Sequence, residues 1–479
     1  MFGLVLVAGL ALRVLAQLAY RPALLYIDSS KYLVGSGGSE PEGYQVLLRA
    51  LDPLGGIALV AAAQHLFGLA LAVTVYLLLI RYRVPRWAAA LAAAPVLLDA
   101  YQLQLEQTIM PDVFFEALIG AGLAVLLWPR RAGTSRRGQI AAGALILGGA
   151  TTVREIGGVL LVPVMIYAFL TVAGWRRRAV RTTLAAGAFL LPVLAYMGGS
   201  LVLSGHFNLG RGGPGPEYGR FAAAADCTTL VLPADERALC PSPAQIRALG
   251  GIDGLLHSPA SPGNKVPAAT QEALLARFSL AVLRQQPLRV AASVARDSAR
   301  LFALTRDGDP QITPISRWQF QTAYPVYPRT YSLAFFTELA RQSGSGGPLV
   351  ADRPVAAFLR AYQLNGGYTP GPLYLAGLIA GVAGAVAGGV AGLVRREARR
   401  LGLASFVVTL SAVVLLVSSD AFEFSWRYQL PATILLPLAG ALGLTAVLTA
   451  VRTASAGTSR RTRPASAASG PRARSARPV

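Results

Sequence analysis

The stretch Leu24–Leu33 carries a carboxylate (Asp28), two hydroxyls (Ser29, Ser30), an ammonium (Lys31) and two phenols (Tyr26, Tyr32), directly after an apolar segment. Four more groups follow in the chain: Glu106 with Asp112, the adjacent pair Arg154-Glu155, His206, and Glu423 with Arg427 and Tyr428. A carboxylate can take the proton of an attacking hydroxyl. A guanidinium can grip a phosphate through two parallel hydrogen bonds and steady it as a leaving group. Each group also has a plainer role open to it. Asp28 and Glu106 suit solvated loop charges. Asp112 follows Pro111, where a helix start favours an acid. Arg154 and Glu155 can pair with each other, and Arg427 can snorkel at an interface. His206 has no partner ligand in sight, so no metal site is expected.

These residues need a scaffold, and composition points to a membrane. The chain has 479 residues, 54% hydrophobic and only 14% charged, where soluble domains run near 25% charged. Its mean hydropathy is +0.49. The net charge of +21 does not indicate nucleic acid, because the arginines fall in short runs between apolar segments and in the C-terminal stretch. That is the positive-inside pattern. The wealth of Ala, Gly and Arg fits a GC-rich genome, and Lys31 and Lys265 are the only lysines.

Phe2 to Tyr20 reads as a retained transmembrane helix. Arg13 within it must face the protein interior or a polar cavity. Residues 21–56 form the first outer loop, where Pro41-Glu42-Gly43 precedes Tyr44, Leu47 and Leu48 as a short interfacial helix. Further apolar runs are Ile57–Ile80, Trp87–Leu98, Pro111–Trp128, Ile140–Val153, Ile156–Val172, Thr182–Leu203, Leu373–Val394, Leu403–Ser419 and Tyr428–Val451. The stretch from Asp99 to Met110, with Glu106, reads as a polar loop. The expected fold is an all-α polytopic membrane protein of about ten transmembrane helices. With the N-terminus inside, every compact arginine cluster falls on one face. Asp28, Glu106, Arg154, the cysteines and Arg427 then fall on the other.

The organisation follows. Residues 1–203 form an N-terminal transmembrane module, 204–372 a large extracytoplasmic segment, 373–451 the C-terminal transmembrane helices, and 452–479 a disordered, basic cytoplasmic tail. Within 204–372, Glu272–Leu283 and Pro287–Leu304 read as helices on the membrane surface, with Leu274, Leu275, Phe278 and Val282 on one face. Cys227 and Cys240 suit a disulfide there, with two free thiols as the alternative.

The order of features resembles the GT-C superfamily of polyprenyl-phosphate-dependent glycosyltransferases, which includes protein O-mannosyltransferases and lipid A aminoarabinose transferases. The resemblance rests on Arg13 in the first span, Asp28 in the first outer loop, and Pro41-Glu42-Gly43-Tyr44 running into Leu47-Leu48. It continues with Thr108-Ile109-Met110-Pro111-Asp112-Val113-Phe114-Phe115, Thr152-Val153-Arg154-Glu155 and Arg427-Tyr428-Gln429-Leu430-Pro431. Two departures stand out: relatives often have Glu at the place of Asp112, and aromatic residues where Glu42 and Gly43 follow Pro41. The segment 204–372 resembles no family.

The resemblance implies an integral plasma-membrane enzyme with its active site on the extracytoplasmic face and both termini in the cytoplasm. It would move one sugar from a polyprenyl-phosphate donor to a glycan, lipid or protein acceptor, with inversion and without a cofactor. Related oligosaccharide-transferring enzymes use a divalent metal. Asp28 would be the base, or the group that orients the acceptor hydroxyl. Lys31, Tyr32, Tyr44, Glu106, Asp112, Glu155 and His206 would bind substrate, while Arg154, Arg427 and Tyr428 would hold the donor phosphate. The helices of 272–304 would help bind lipid or acceptor. Mannose or arabinofuranose for the cell envelope fits the composition. Two other readings stay open: a transporter or flippase of a lipid-linked sugar, which also needs intramembrane charges, and a non-catalytic partner in envelope assembly.

Overall fold

A computed structural model of the chain describes residues 1–35, 40–129, 136–210, 215–309, 311–327, 331–343, 347–392 and 395–461. Helices dominate it. In hydrocarbon the backbone must satisfy its own hydrogen bonds, and an α-helix does so within one segment. The N-terminal half runs α1 (Phe2–Ala19), α2 (Ser29–Leu33), α3 (Gly43–Arg81), α4 (Arg86–Leu98), α5 (Ala100–Gln107), α6 (Asp112–Leu127), α7 (Arg137–Thr151), a 3₁₀ turn (Glu155–Leu160), α8 (Leu161–Leu170) and α9 (Trp175–Ser204). Three long helices close the described chain: Gly371–Ala391, Arg396–Phe422 and Ala432–Arg461.

Each apolar run of the sequence contains helix among its described residues. By length and composition, six described helices are able to cross a membrane, or seven if α4 and α5, bent by 48°, count as one span. At 16 and 15 residues, α6 and α7 fall short of the roughly 20 that a full crossing takes. The last helix runs on to Arg461, past the expected end of the span, and residues 462–479 of the expected tail lie outside the described residues.

Two local features differ from the sequence reading. Residues 100–107 are a helix with every residue buried rather than a polar loop, and α5 packs among α1, α3 and α4. The interfacial segment 43–54 is helical as expected, but it continues into the following span through a kink at Gly55 and Gly56. Gly56 has φ 64° and ψ −170°, a combination open to glycine and strained for other residues.

The segment 204–372 holds its own small core of Tyr218, Leu239, Leu255, Leu275, Phe278 and Val282. Cys227 and Cys240 are joined as a disulfide beside it. The helices Ala268–Gln285 and Pro287–Arg300 are present. Leu275, Phe278 and Val282, on the one face expected, turn into this core. Several contacts tie the segment to the rest of the chain, among them the Arg306–Asp99 ion pair (2.6 Å). Tyr20 and Arg21 pair antiparallel with Ala351 and Val350. Arg220, fully buried, donates to Asp297 (2.6 Å) and to the Asp420 carbonyl (2.5 Å) at the end of helix Arg396–Phe422.

Candidate active site

Three short stretches, far apart in sequence, are stitched together at one end of the bundle. The first outer loop is zipped to the residues before α6: Leu24 N–H donates to the Gln107 carbonyl (2.9 Å), and Ile109 N–H donates to the Leu24 carbonyl (3.0 Å). Ser29 locks the bend, accepting from Tyr26 N–H (2.8 Å) and donating to the Ile109 carbonyl (2.9 Å). The third stretch joins through Gly43, whose N–H donates to the Thr152 carbonyl (2.9 Å). A Cβ at residue 43 would collide with that carbonyl, so glycine is required by close approach. Asp28, Asp112 and Arg154 thereby meet, and the turn after helix Arg396–Phe422 brings Arg427 between them.

The four side chains form a chain of alternating charge. Arg427 Nη1 donates to Asp28 Oδ2 at 3.0 Å, and its Nε donates to both Asp112 oxygens at 3.0 and 3.1 Å. Arg154 donates to Asp112 Oδ1. Aromatic faces flank the guanidiniums. Arg427 lies 5.4 Å from the ring centres of Trp318 and Tyr428, and Arg154 lies 4.9 Å from that of Tyr428. Trp318 is fixed in turn by its Nε1–H to Ser425 Oγ (3.1 Å).

Exposure separates the two carboxylates. The Asp112 side chain is 5% exposed and wedged between guanidiniums, while that of Asp28 is 24% exposed and faces open space. Lys31 Nζ also reaches Asp28 Oδ1 (3.2 Å) and Glu40 (3.3 Å). Burial pushes the Asp28 carboxyl up, but Arg427 and Lys31 outweigh it and hold the group below the usual carboxylate range. For Arg427, burial works against the charge, and Asp112, Tyr428 and Asp28 more than offset it.

This network opens on a cavity of about 400 Å³ lined by Asp28, Tyr32, Glu40, Arg154, Glu155, Arg427 and Tyr428. Its remaining wall is Val153, Ile156 and Val159 beside the end of helix Arg396–Phe422, with Ser418, Ser419 and Phe422. One wall is therefore charged and the other largely apolar.

Of the residues singled out in the sequence, Asp28, Tyr32, Arg154, Glu155, Arg427 and Tyr428 line this cavity, and Lys31 and Asp112 touch its charged wall. Three do not reach it. Glu106 is fully buried elsewhere, accepting from Arg13 Nη2 (2.7 Å) and paired with His65 Nδ1 (2.9 Å). It is a partner for the intramembrane arginine, and Arg13 does face the interior, bonded also to the Val96 and Leu97 carbonyls. Tyr44 is buried behind Tyr32, ring edge to face at 5.5 Å, and donates to Gln64 Oε1 (2.7 Å), so it braces the site without facing it. His206 is exposed with its Nδ1 2.6 Å from the Ser204 carbonyl, away from the cavity. None of the residues 272–304 lines the cavity either.

Sequence reasoning missed Glu40, Trp318 and the serines of 418–419. Trp318 sits in a segment without a motif, and the serines sit inside an apolar run where they read as ordinary span residues. Among the described residues, no group of three or more His, Cys, Asp or Glu side chains is placed to hold a metal ion.

No family model matches the chain, and no curated protein matches it. Solved structures similar to it include the oligosaccharyltransferase of Archaeoglobus fulgidus, 13% identical with a TM-score of 0.41, over 94% of this chain and 51% of that one. ArnT from Cupriavidus metallidurans, solved with undecaprenyl phosphate, is 15% identical with a TM-score of 0.36, over 95% of this chain and 79% of that one. The chain thus spans about half the length of the archaeal enzyme.

Proposed function

We propose that the protein is a membrane glycosyltransferase that moves one sugar from a polyprenyl-phosphate donor to an acceptor hydroxyl at the extracytoplasmic surface. The observation that carries this reading is the shared cavity: Asp28 and the guanidiniums of Arg154 and Arg427 face the same space, with apolar side chains on the other side. The order of motifs from Asp28 to Arg427 supports the same class of donor.

In this reading the carrier phosphate lies against Arg154 and Arg427, and its isoprenoid chain follows the apolar wall of Val153, Ile156, Val159 and Phe422. The acceptor hydroxyl approaches C1 of the sugar from the Asp28 side. Its oxygen forms the new glycosidic bond as the C1–O bond to phosphate breaks. The proton passes to Asp28, and the electron pair of the broken bond ends on the carrier phosphate, which the two arginines stabilise. Asp112 is a positioning residue, fixing both guanidiniums in register.

A low carboxylate pKa makes a weak base, and the geometry offers a remedy. A phosphate drawing charge from Arg427 would weaken the hold on Asp28 and raise its basicity when the donor is bound. This assignment predicts inversion at C1 and a carrier phosphate as product.

The test is purified protein incubated with radiolabelled polyprenyl-phosphate sugars, mannosyl and arabinofuranosyl among them. Release of free carrier phosphate from one donor, lost in Asp28→Asn, supports the reading. Tight donor binding with no turnover, unchanged by that substitution, would replace it with the transport or assembly reading.

A further inference from the structure

A second cavity, of about 390 Å³, lies at the opposite end of α3 and of helix Arg396–Phe422. Its lining includes Arg81, Arg83, Arg396 and Arg400 against one acid, Glu397. From Arg400 to Ser419, which lines the first cavity, is about 30 Å of helix at 1.5 Å per residue. That matches the hydrocarbon thickness of a bilayer, roughly 30 Å. The two cavities are therefore about one hydrocarbon thickness apart along this helix.

The second site is held in shape. The Tyr82 hydroxyl donates to the Leu127 carbonyl (2.8 Å), fastening the end of α3 to the end of α6. The Arg81 guanidinium lies 5.4 Å from the ring centre of Trp128, an aromatic residue at an interface position. Arg83 has φ 61°, a left-handed conformation that non-glycine residues seldom adopt. It pairs with Glu397 at 3.2 Å. Among the described residues, no carboxylate pairs with Arg81, Arg396 or Arg400. Among the described residues the hollow's one carboxylate, Glu397, is thus paired with Arg83, and the other three guanidiniums each present a planar fork suited to phosphate oxygens.

We infer that this cavity binds the phosphate headgroup of an anionic membrane lipid, with Arg81, Arg396 and Arg400 as its ligands. A lipid fits better than a soluble phosphate because the hollow sits where the span ends and headgroups begin. The site is separate from the proposed catalytic cavity, and its occupancy does not depend on what that cavity does.

The experiment uses full-length protein in detergent micelles, titrated with short-chain phosphatidylglycerol, short-chain phosphatidylcholine and inorganic phosphate, and read by native mass spectrometry. Wild type should bind phosphatidylglycerol at least about tenfold more tightly than phosphatidylcholine, with inorganic phosphate a poor competitor. The combined Arg81→Gln, Arg396→Gln and Arg400→Gln variant should lose that preference, while a control with Arg176→Gln and Arg177→Gln keeps it. Where the neutral variant does not fold, the corresponding Arg→Lys variant removes the forks and should weaken the preference. No preference in wild type, or equal loss in the control, would overturn the proposal. So would inorganic phosphate binding as tightly as the lipid.

Discussion

Two clusters in this chain are built from the same parts, arginine and carboxylate, and the structure treats them in opposite ways. In the first, Arg13, Glu106 and His65 are sealed among α1, α3, α4 and α5, with Glu106 wholly buried and both its oxygens taken. In the second, Arg427 and Arg154 hold Asp112 in a similar grip, but the chain of charges ends at Asp28, which is partly exposed on a cavity. A closed, satisfied ion pair has no capacity left for a ligand. An ion pair with one member at a cavity wall can exchange its partner for one. The difference suits Arg13–Glu106 to architecture and, under the proposed function, Asp28–Arg427 to chemistry.

Substitutions can sharpen or break that contrast. The largest effect is expected from Arg427→Gln, which removes the shared counter-ion of Asp28 and Asp112 and the proposed phosphate ligand. Transfer should fall by about 10²–10³-fold per folded molecule, measured as initial rate against donor concentration.

Glu106→Gln is next. Removing one partner of a buried pair leaves Arg13 uncompensated and should cost about 3–5 kcal/mol of stability, read from thermal or denaturant unfolding in detergent. Turnover of the molecules that remain folded should stay near wild type, because Glu106 does not face the cavity.

Titration gives a smaller, signed effect. Glu423, buried and accepting from Thr313 Oγ1, is pushed up to about 7 by burial, against about 4.3 in an unfolded chain. The folded state binds the extra proton between those values, so this group makes stability fall as pH rises from about 4.3 to about 7, by at most about 3–4 kcal/mol. Glu423→Gln should remove that slope in an unfolding series. Asp28 has the opposite sign. Its depressed folded pKa contributes stability above the ordinary aspartate value near 4, lost as pH falls below it.

The smallest effect belongs to Lys31→Gln. Its side chain is 40% exposed, and its pairs with Asp28 and Glu40 span 3.2–3.3 Å. Stability should change by less than about 1 kcal/mol, with a shift of a few fold in donor KM.

The sequence exposed the membrane fold well, because apolar runs and arginine clusters are local signals that need no knowledge of packing. Asp28, Arg154 and Arg427 were legible as charges whose burial in or beside a bilayer needs a reason. Their partners were not legible. Arg427 and Asp28 are 399 residues apart, and nothing local pairs them. Glu106 was misplaced for the same reason. Its neighbours Gln102, Gln104 and Gln107 look like a solvated loop, yet all three are buried, with Gln102 donating to Glu106 and Glu116 and Gln107 bonded to His65 and the Tyr20 carbonyl. Arg13 carried the missing clue, since an arginine within a span calls for a carboxylate, and Glu106 is 93 residues away. Trp318 was out of reach, because its role depends on the fold of a segment whose sequence carries no motif.

The measurement that tests the contrast most directly compares Asp28→Asn with Glu106→Gln in one preparation, reading carrier-phosphate release per folded molecule and the unfolding midpoint together. The account predicts that Asp28→Asn loses about 10³-fold in rate with a smaller fall in the midpoint than Glu106→Gln, which lowers the midpoint most and keeps the rate. Full activity in well-folded Asp28→Asn, or loss of activity without loss of stability in Glu106→Gln, would contradict it.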